Sequence, residues 1–140
     1  MTTLLDSNVI AALWNLDDAL NAAARSALDA ALAKGPLIVP APVYAELMAF
    51  AGRTESFLDT FFRETNIAVE WRMEERVWRI AGRAFQSYAG RRRKQRDNGP
   101  RRILADFLIG AYALRHNYSL LTLDQRLYRA AFPSLKILTA

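Results

Sequence analysis

The segment Arg102-Ile-Leu-Ala-Asp-Phe-Leu-Ile-Gly-Ala-Tyr-Ala-Leu-Arg115 decides how the rest of the chain is interpreted. Its apolar residues recur at helical spacing, which predicts a helix with one apolar face. That face holds Ile103, Phe107, Gly110 and Leu114. Asp106 falls on the same inward face, although burying an unpaired carboxylate is costly because the charge loses its hydration. The misfit indicates a functional site, provided that other carboxylates can reach Asp106.

The composition is that of one globular domain over residues 1–140. Hydrophobic residues make up 52% of the chain and charged residues 24%, which is enough apolar material for a single core. The chain has no cysteine, so disulfides, thiolate metal sites and cysteine nucleophiles are excluded. The first residues do not resemble a secretory signal, and no apolar run approaches the roughly 20 residues of a membrane span. We therefore expect a cytoplasmic protein that makes no contact with a membrane.

Positive charge is concentrated in one stretch of the sequence. The net charge of the whole chain is +5, yet residues 90–102 alone contain seven basic residues and one acid. A local basic cluster is typical of a phosphate-binding surface, although a solvated loop would have the same composition. The candidate nucleic-acid contacts are Arg91, Arg92, Arg93, Lys94, Arg96, Arg101 and Arg102.

Short apolar strands alternate with helices along the chain. The predicted strands are residues 2–5, 37–39, 67–69, 119–122 and 136–138. The predicted helices are residues 8–14, 19–33, 42–51, 55–65, 72–88, 102–115 and 125–131. This alternation predicts a central, mainly parallel sheet covered on both faces, which is a three-layer α/β/α sandwich. Residues 89–101 are predicted to form a long basic loop.

Three more acids are placed where they could meet Asp106. Asp6 directly follows the first strand and Asp124 follows the fourth, and sites in parallel sheets form at the carboxyl ends of strands. Glu46 lies on the inward face of its helix, as Asp106 does. Each acid alone has an ordinary explanation, since Asp6 and Asp124 could cap helices and Glu46 could reach solvent.

Four converging carboxylates would repel one another and raise one another's pKa values. A divalent cation resolves that conflict, and a ligand set of oxygen without histidine or cysteine suits Mg²⁺ or Mn²⁺. Such an ion beside a basic surface is an arrangement that can cleave phosphodiesters. Ser7, Asn8 and Thr122 are placed to orient the carboxylates.

Four segments of the chain together resemble the motifs of the PIN domain family. They are Leu5-Asp6-Ser7-Asn8-Val9, Ala45-Glu46-Leu47, Ala105-Asp106-Phe107-Leu108-Ile109-Gly110-Ala111-Tyr112-Ala113-Leu114 and Leu121-Thr122-Leu123-Asp124-Gln125-Arg126. As a set they are most similar to VapC-type toxins of bacterial toxin–antitoxin pairs.

The resemblance implies a PIN-like sandwich and a Mg²⁺- or Mn²⁺-dependent endoribonuclease. It implies that the metal ligands and catalytic residues are Asp6, Glu46, Asp106 and Asp124. It also implies a homodimer and a small antitoxin protein whose tail covers the active-site groove. The RNA that is cut, whether transfer, ribosomal or messenger RNA, stays open.

Other classes of protein fit the same residues less well. A receiver-like signalling domain needs paired acids after its first strand, and here Asp6 is followed by Ser7 and Asn8. A haloacid-dehalogenase-like phosphatase needs a second Asp at the position of Asn8. A non-catalytic RNA-binding module would explain residues 90–102, but it would leave the acids on apolar faces without a role.

Overall fold

The central sheet has five strands, all of them parallel. The structure is a computed structural model that describes residues 1–95 and 104–139. In chain order the strands are β1 (Thr3–Leu5), β2 (Leu37–Pro40), β3 (Ala68–Glu70), β4 (Ser119–Thr122) and β5 (Ile137–Thr139). Their order across the sheet is β3-β2-β1-β4-β5, with each neighbouring pair parallel. The predicted α/β class and parallel sheet are therefore confirmed.

Seven helices are described in these ranges, and they connect the strands. They are α1 (Ser7–Trp14), α2 (Asn21–Lys34), α3 (Ala41–Leu47), α4 (Glu55–Thr65), α5 (Glu75–Gln95), α6 (Leu104–His116) and α7 (Gln125–Ala131). The connection from β1 to β2 and the connection from β4 to β5 run towards opposite edges of the sheet. Because connections between parallel strands are right-handed, the helices of the first, α1 and α2, and the helix of the second, α7, cover opposite faces. Within residues 1–95 and 104–139, no helix is long and apolar enough to cross a membrane.

The strand order reverses direction between β1 and β4. After β1 the chain adds β2 and β3 on one side, and it then returns to place β4 against the other side of β1. The register pairs Leu4 with Leu120 and Leu5 with Leu121, so both strands end at the same edge of the sheet. Ligand sites in open parallel sheets form at the carboxyl ends of strands beside such a reversal. The residues that follow β1 and β4 therefore lie where a site is expected.

Helix α6 is buried on most of its surface rather than on one face. Every residue from 107 to 113 is buried, so the prediction of a single apolar face was too narrow. The helix passes through the interior, packing against α3, α5 and β4. A Cβ atom at Gly110 would lie 2.3 Å from the Phe132 ring, so a glycine is what permits this close packing. Ile103, assigned to the apolar face by its spacing, lies outside the described residues.

Helices α5 and α6 pack antiparallel, and α5 is longer than predicted. Phe85 and Tyr88 of α5 contact Phe107 near the start of α6, whereas Glu74, just before α5, lies against His116 at the end of α6. The predicted end at residue 88 was wrong, because α5 continues to Gln95. Arginine, lysine and glutamine are good helix formers, and a single interior glycine costs only about 1 kcal/mol, so Gly90 does not end the helix.

Candidate active site

Asp6 is the buried centre of the candidate site. It follows β1 directly and occupies the N-cap position of α1, where its Oδ1 accepts a hydrogen bond from the Ser7 backbone N–H at 2.8 Å. Its Oδ2 accepts bonds from the Thr122 hydroxyl at 2.9 Å and the Tyr128 hydroxyl at 3.0 Å. Only 4% of the residue is exposed. Asp6 therefore caps a helix and also receives side-chain donors from β4 and α7, which capping does not require.

Burial raises the pKa of Asp6 above its ordinary value. The hydrogen bonds from Thr122, Tyr128 and the Ser7 N–H oppose the rise, since they stabilise the carboxylate, while the negative charge of Asp124 adds to it. The three donors thus hold a carboxylate in a position where its charged form is disfavoured. Such an arrangement indicates that the negative charge at Asp6 has a use.

Glu46 lies in α3 beside Asp6, half-buried. The Ser7 hydroxyl donates a hydrogen bond to its Oε1 at 3.1 Å, which joins α3 to the start of α1. Burial, the charge of Asp6 and the charge of Asp106 together raise the pKa of Glu46 to about 7, against the effect of the Ser7 bond. The expected inward face of this helix is only partly confirmed: Val43 and Leu47 are buried, but α3 ends at Leu47 and Phe50 is 47% exposed.

Asp106 and Asp124 complete the group of acids at this edge of the sheet. Asp106 lies half-buried in the first turn of α6. Asp124 occupies the N-cap position of α7, yet its side chain makes no capping bond. Asp106 raises the pKa values of Glu46 and Tyr128, and Asp124 raises that of Asp6. The four predicted acids are thus close enough to influence one another through their charge or through a shared neighbour.

Asn8 and Thr122 fasten the ends of β1 and β4 together around Asp6. Thr122 is fully buried, and its hydroxyl oxygen accepts bonds from the Asp124 backbone N–H at 3.1 Å and from Asn8 Nδ2 at 3.3 Å. Asn8 Oδ1 accepts a bond from the Leu123 backbone N–H at 3.1 Å. The Asn8 amide therefore bridges α1 and the end of β4. The orienting role of Ser7, Asn8 and Thr122 stays a prediction.

Tyr128 belongs to the site but was not predicted. Only 1% of it is exposed, and burial, followed by the charge of Asp6, raises its pKa well above the ordinary range for tyrosine. A neutral hydroxyl that donates to Asp6 is thereby maintained. One signal in the sequence could have indicated Tyr128. It lies four residues after Asp124, and this spacing places the two residues on the same side of a helix.

The donor set of the site matches a hard divalent cation in its chemistry. All four candidate ligands are carboxylates, and oxygen ligands suit Mg²⁺ or Mn²⁺. Burial and neighbouring negative charge raise the pKa values of Asp6 and Glu46, and a cation would offset both effects. Within residues 1–95 and 104–139, however, no three acidic or histidine side chains already stand close enough to enclose an ion.

The predicted basic surface lies partly on the last turns of α5. Arg91, Arg93 and Lys94 are exposed there, and Arg92 is half-buried with its Nη1 3.4 Å from the Tyr88 hydroxyl. Because Tyr88 and Phe85 pack on Phe107, the basic end of α5 lies at the end of α6 that carries Asp106. The other three predicted contacts, Arg96, Arg101 and Arg102, lie outside the described residues.

The lone histidine lies away from the carboxylates. His116 ends α6, with its ring stacked on Tyr118 and its Nε2 2.7 Å from Glu74 Oε1. This position is at the opposite end of α6 from Asp106. The only imidazole of the sequence therefore lies away from the four acids.

The chain belongs to the PIN domain family, whose sequence model matches residues 3–133. Solved structures of toxin–antitoxin proteins share its fold. The VapBC2 complex of Rickettsia felis, bound to a DNA fragment from its promoter, matches with a TM-score of 0.73 and 16% identity over 100% of this chain and 99% of the other.

Two further structures have a similar fold. VapBC-1 of nontypeable Haemophilus influenzae matches with a TM-score of 0.66 and 18% identity over 99% of this chain and 98% of the other. FitAcB of Neisseria gonorrhoeae matches with a TM-score of 0.64 and 22% identity over 96% and 95% of the two chains. No curated protein sequence matches this chain.

Proposed function

We propose that this protein is a Mg²⁺- or Mn²⁺-dependent endoribonuclease that acts as the toxin of a toxin–antitoxin pair. The observation that carries the proposal is the gathering of four carboxylates at the β1–β4 edge in a chain of the PIN family. The toxin role is supported by the shared fold with VapBC and FitAB proteins. A small antitoxin partner and a homodimer are part of the same proposal.

In this proposal Asp6, Glu46, Asp106 and Asp124 hold the metal. When bound, the ion supplies a hydroxide for attack on the phosphodiester and offsets charge on the phosphate oxygens. The chain itself keeps Asp6 in place through the Thr122 and Tyr128 hydroxyls and keeps Glu46 in place through the Ser7 hydroxyl. Fixed carboxylates reduce the reorganisation needed when ion and substrate bind.

The basic end of α5 is the proposed contact for RNA phosphates. The end of the α5–α6 pair that carries Asp106 also carries three exposed basic residues, Arg91, Arg93 and Lys94. A bound strand would therefore meet them close to the carboxylates. Contacts of this kind position a nucleic acid without reading its sequence. The proposal therefore extends to RNA in general, without a preference for one RNA class.

Cleavage of total cellular RNA by the purified protein tests this function. Reactions with Mg²⁺, Mn²⁺ and chelator are compared for the wild type, Asp106→Asn and the matched control Asp29→Asn, an exposed acid on α2. We expect metal-dependent cuts at few sites with the wild type and the control, and none with Asp106→Asn. Equal cleavage by Asp106→Asn, or cleavage in chelator, would contradict the proposal.

The second candidate function is a non-catalytic RNA-binding module, which the basic end of α5 favours. It predicts that loss of Arg91, Arg92 and Arg93 removes all function while Asp106→Asn changes nothing. A folded wild-type protein that binds RNA but never cuts it would decide for this module. The buried Asp6 with donors on both oxygens has no role in that function, which is why we place it second.

A further inference from the structure

A groove leads away from the candidate site along helix α1. It has a volume of about 590 Å³, and its lining includes Ser7, Asn8 and Asp124 as well as Trp14, Phe50 and Arg53. Ser7 begins α1 and Trp14 ends it, so the groove extends over the length of the helix, roughly 10 Å at 1.5 Å per residue. The carboxylate site therefore continues into a channel with a different chemical character.

Arg53 packs against two aromatic rings at the far end of this groove. The Arg53 guanidinium carbon lies 4.6 Å from the centre of the Trp14 ring and 4.4 Å from the centre of the Phe57 ring. Gly52, with φ of 77°, forms the turn that precedes it, and the Arg53 N–H donates to the Phe50 carbonyl at 3.2 Å. A cation close to two aromatic rings is attracted by both, which restrains the position of the guanidinium.

Arg53 lines the groove together with Phe50 and Asp124. Arg53 is half-buried overall, but its Nε is fully buried and has no hydrogen-bond partner in residues 1–95 and 104–139. No ion pair joins Arg53 to any carboxylate of those residues, so its charge is available to an anion. A planar guanidinium is well suited to a phosphate.

The walls of the groove also suit unstacked bases. Phe50 is 47% exposed and Leu20, which lines the same groove, is also 47% exposed. Proteins that bind single strands combine a cation for the backbone with aromatic surfaces for the bases. Asp18 lines the groove as well, but its Oδ1 accepts a bond from the Leu20 N–H at 2.8 Å and belongs to that turn.

We propose that Arg53 binds a backbone phosphate of a single-stranded RNA substrate, so that the strand lies along α1 between the carboxylates and the Trp14–Phe57 pair. This inference rests on the proposed nuclease function and adds to it the kind of RNA that is bound and the path that the strand takes along α1. Arg53 is a positioning residue for substrate, separate from the four acids and from the basic end of α5.

The test measures RNA binding with chelator present, so that no cleavage occurs. A fluorescently labelled single-stranded RNA is titrated with full-length wild type, Arg53→Gln and the matched control Arg63→Gln, an exposed arginine on α4. We expect Arg53→Gln to weaken binding about tenfold. We also expect it to flatten the slope of log K against log salt concentration by about 0.7, the value for one lost phosphate contact on a single strand. Arg63→Gln should leave both quantities unchanged.

A second measurement on the wild type does not depend on the variant folding. An arginine-specific reagent, followed by mass spectrometry, should modify Arg53 more slowly when RNA is bound, while Arg63 reacts at the same rate. Equal affinity and salt slope for Arg53→Gln and Arg63→Gln, or no protection of Arg53, would overturn the proposal. It would also be overturned if Arg53→Gln weakened only the binding of a co-expressed antitoxin.

The outcomes separate this inference from the function on which it rests. If the wild type neither cuts nor binds RNA, the proposed function fails and the inference fails with it. If the wild type cuts and binds RNA but Arg53→Gln behaves as the control does, the nuclease stands and only the Arg53 contact is wrong.

Discussion

The hydrogen bonds around Asp6 separate a site residue from an ordinary helix cap. A capping aspartate needs only the backbone N–H of the following turn, and Asp6 has that bond to Ser7. The hydroxyls of Thr122 and Tyr128 come from elements far along the chain and converge on the other oxygen. Both hydroxyls are buried with the carboxylate, so each bond carries an appreciable share of the local stability.

Removing the Tyr128 hydroxyl should weaken the site without unfolding the protein. Tyr128→Phe is expected to cost about 1–2 kcal/mol of unfolding free energy, because Asp6 loses a donor. Cleavage activity should fall about 10- to 100-fold, as is typical when a group that orients a metal ligand is lost. The control is Tyr44→Phe, which removes a tyrosine–carboxylate bond of 2.8 Å to Asp59 away from the site. Similar activity in the two variants, measured beside urea unfolding curves, would contradict this role.

The raised pKa of Glu46 gives a prediction about stability and pH. The folded protein holds a proton on Glu46 up to about pH 7, whereas the unfolded chain loses it near pH 4.5. Because the folded state binds more protons in this window, the unfolding free energy should decrease as pH rises from 4.5 to 7 and level off above it. The pKa of Asp6 is also raised, so Asp6 adds to the decrease in unfolding free energy.

Chelator-treated protein is the sample for that measurement. Glu46 is half-exposed, so solvent screening limits its share to the order of 1 kcal/mol. In Glu46→Gln the unfolding free energy should decrease by that much less between pH 4.5 and 7 than it does in the wild type. The control Glu64→Gln, at an exposed position of α4, should follow the wild type. If Glu46→Gln leaves the pH dependence of the unfolding free energy unchanged, the raised pKa of Glu46 is not the source of that dependence.

Helix α5 illustrates what sequence patterns fail to reveal about an element's end. The sequence predicts a helix that ends at residue 88 and a basic loop after it, yet the residues after 88 favour a helix strongly enough to continue to Gln95. Basic residues in a last turn are also favoured by the helix dipole. Helix α3 is instead shorter than predicted. The spacing predicts a helix over 42–51, and the helix ends at Leu47. Apolar periodicity alone therefore predicted neither the extension of α5 beyond residue 88 nor the early end of α3.

The position of the basic residues on α5 gives a matched comparison on one helix. Changing Arg91, Arg93 and Lys94 to glutamine should weaken RNA binding and flatten its salt slope by up to about 2, because three phosphate contacts are lost at about 0.7 each. Arg92 is left in place because it packs against Tyr88. The control changes Arg76, Arg79 and Arg83, three exposed arginines nearer the other end of α5. Binding titrations at several salt concentrations with equal slopes for the two triple variants would reject the proposed surface.

The order of the strands explains why acids so distant in sequence meet. Alternating strands and helices predict a parallel sheet and place Asp6 and Asp124 at strand ends, and that part of the site could be predicted. That β4 lies next to β1 is a property of the whole fold, and no local pattern encodes it. The same holds for Tyr128, because the direction of its hydroxyl depends on how α7 packs on the end of β1.

Metal binding should appear as a change in the stability of the whole molecule. A ligand that binds only the folded state stabilises it by about 2.7 kcal/mol at 100 times its Kd, which raises the melting temperature of a chain this size by several degrees. We expect Mn²⁺ to raise the melting temperature of the wild type and of Asp29→Asn, and to raise that of Asp106→Asn to a smaller extent.

In chelator Asp106→Asn should melt at the same temperature as the wild type or higher, since it removes repulsion with Glu46. Thermal melts of the three proteins in both solutions measure these effects. A full Mn²⁺ shift in Asp106→Asn, or a lower melting temperature for it in chelator, would mean that the four acids do not act together as a cation site.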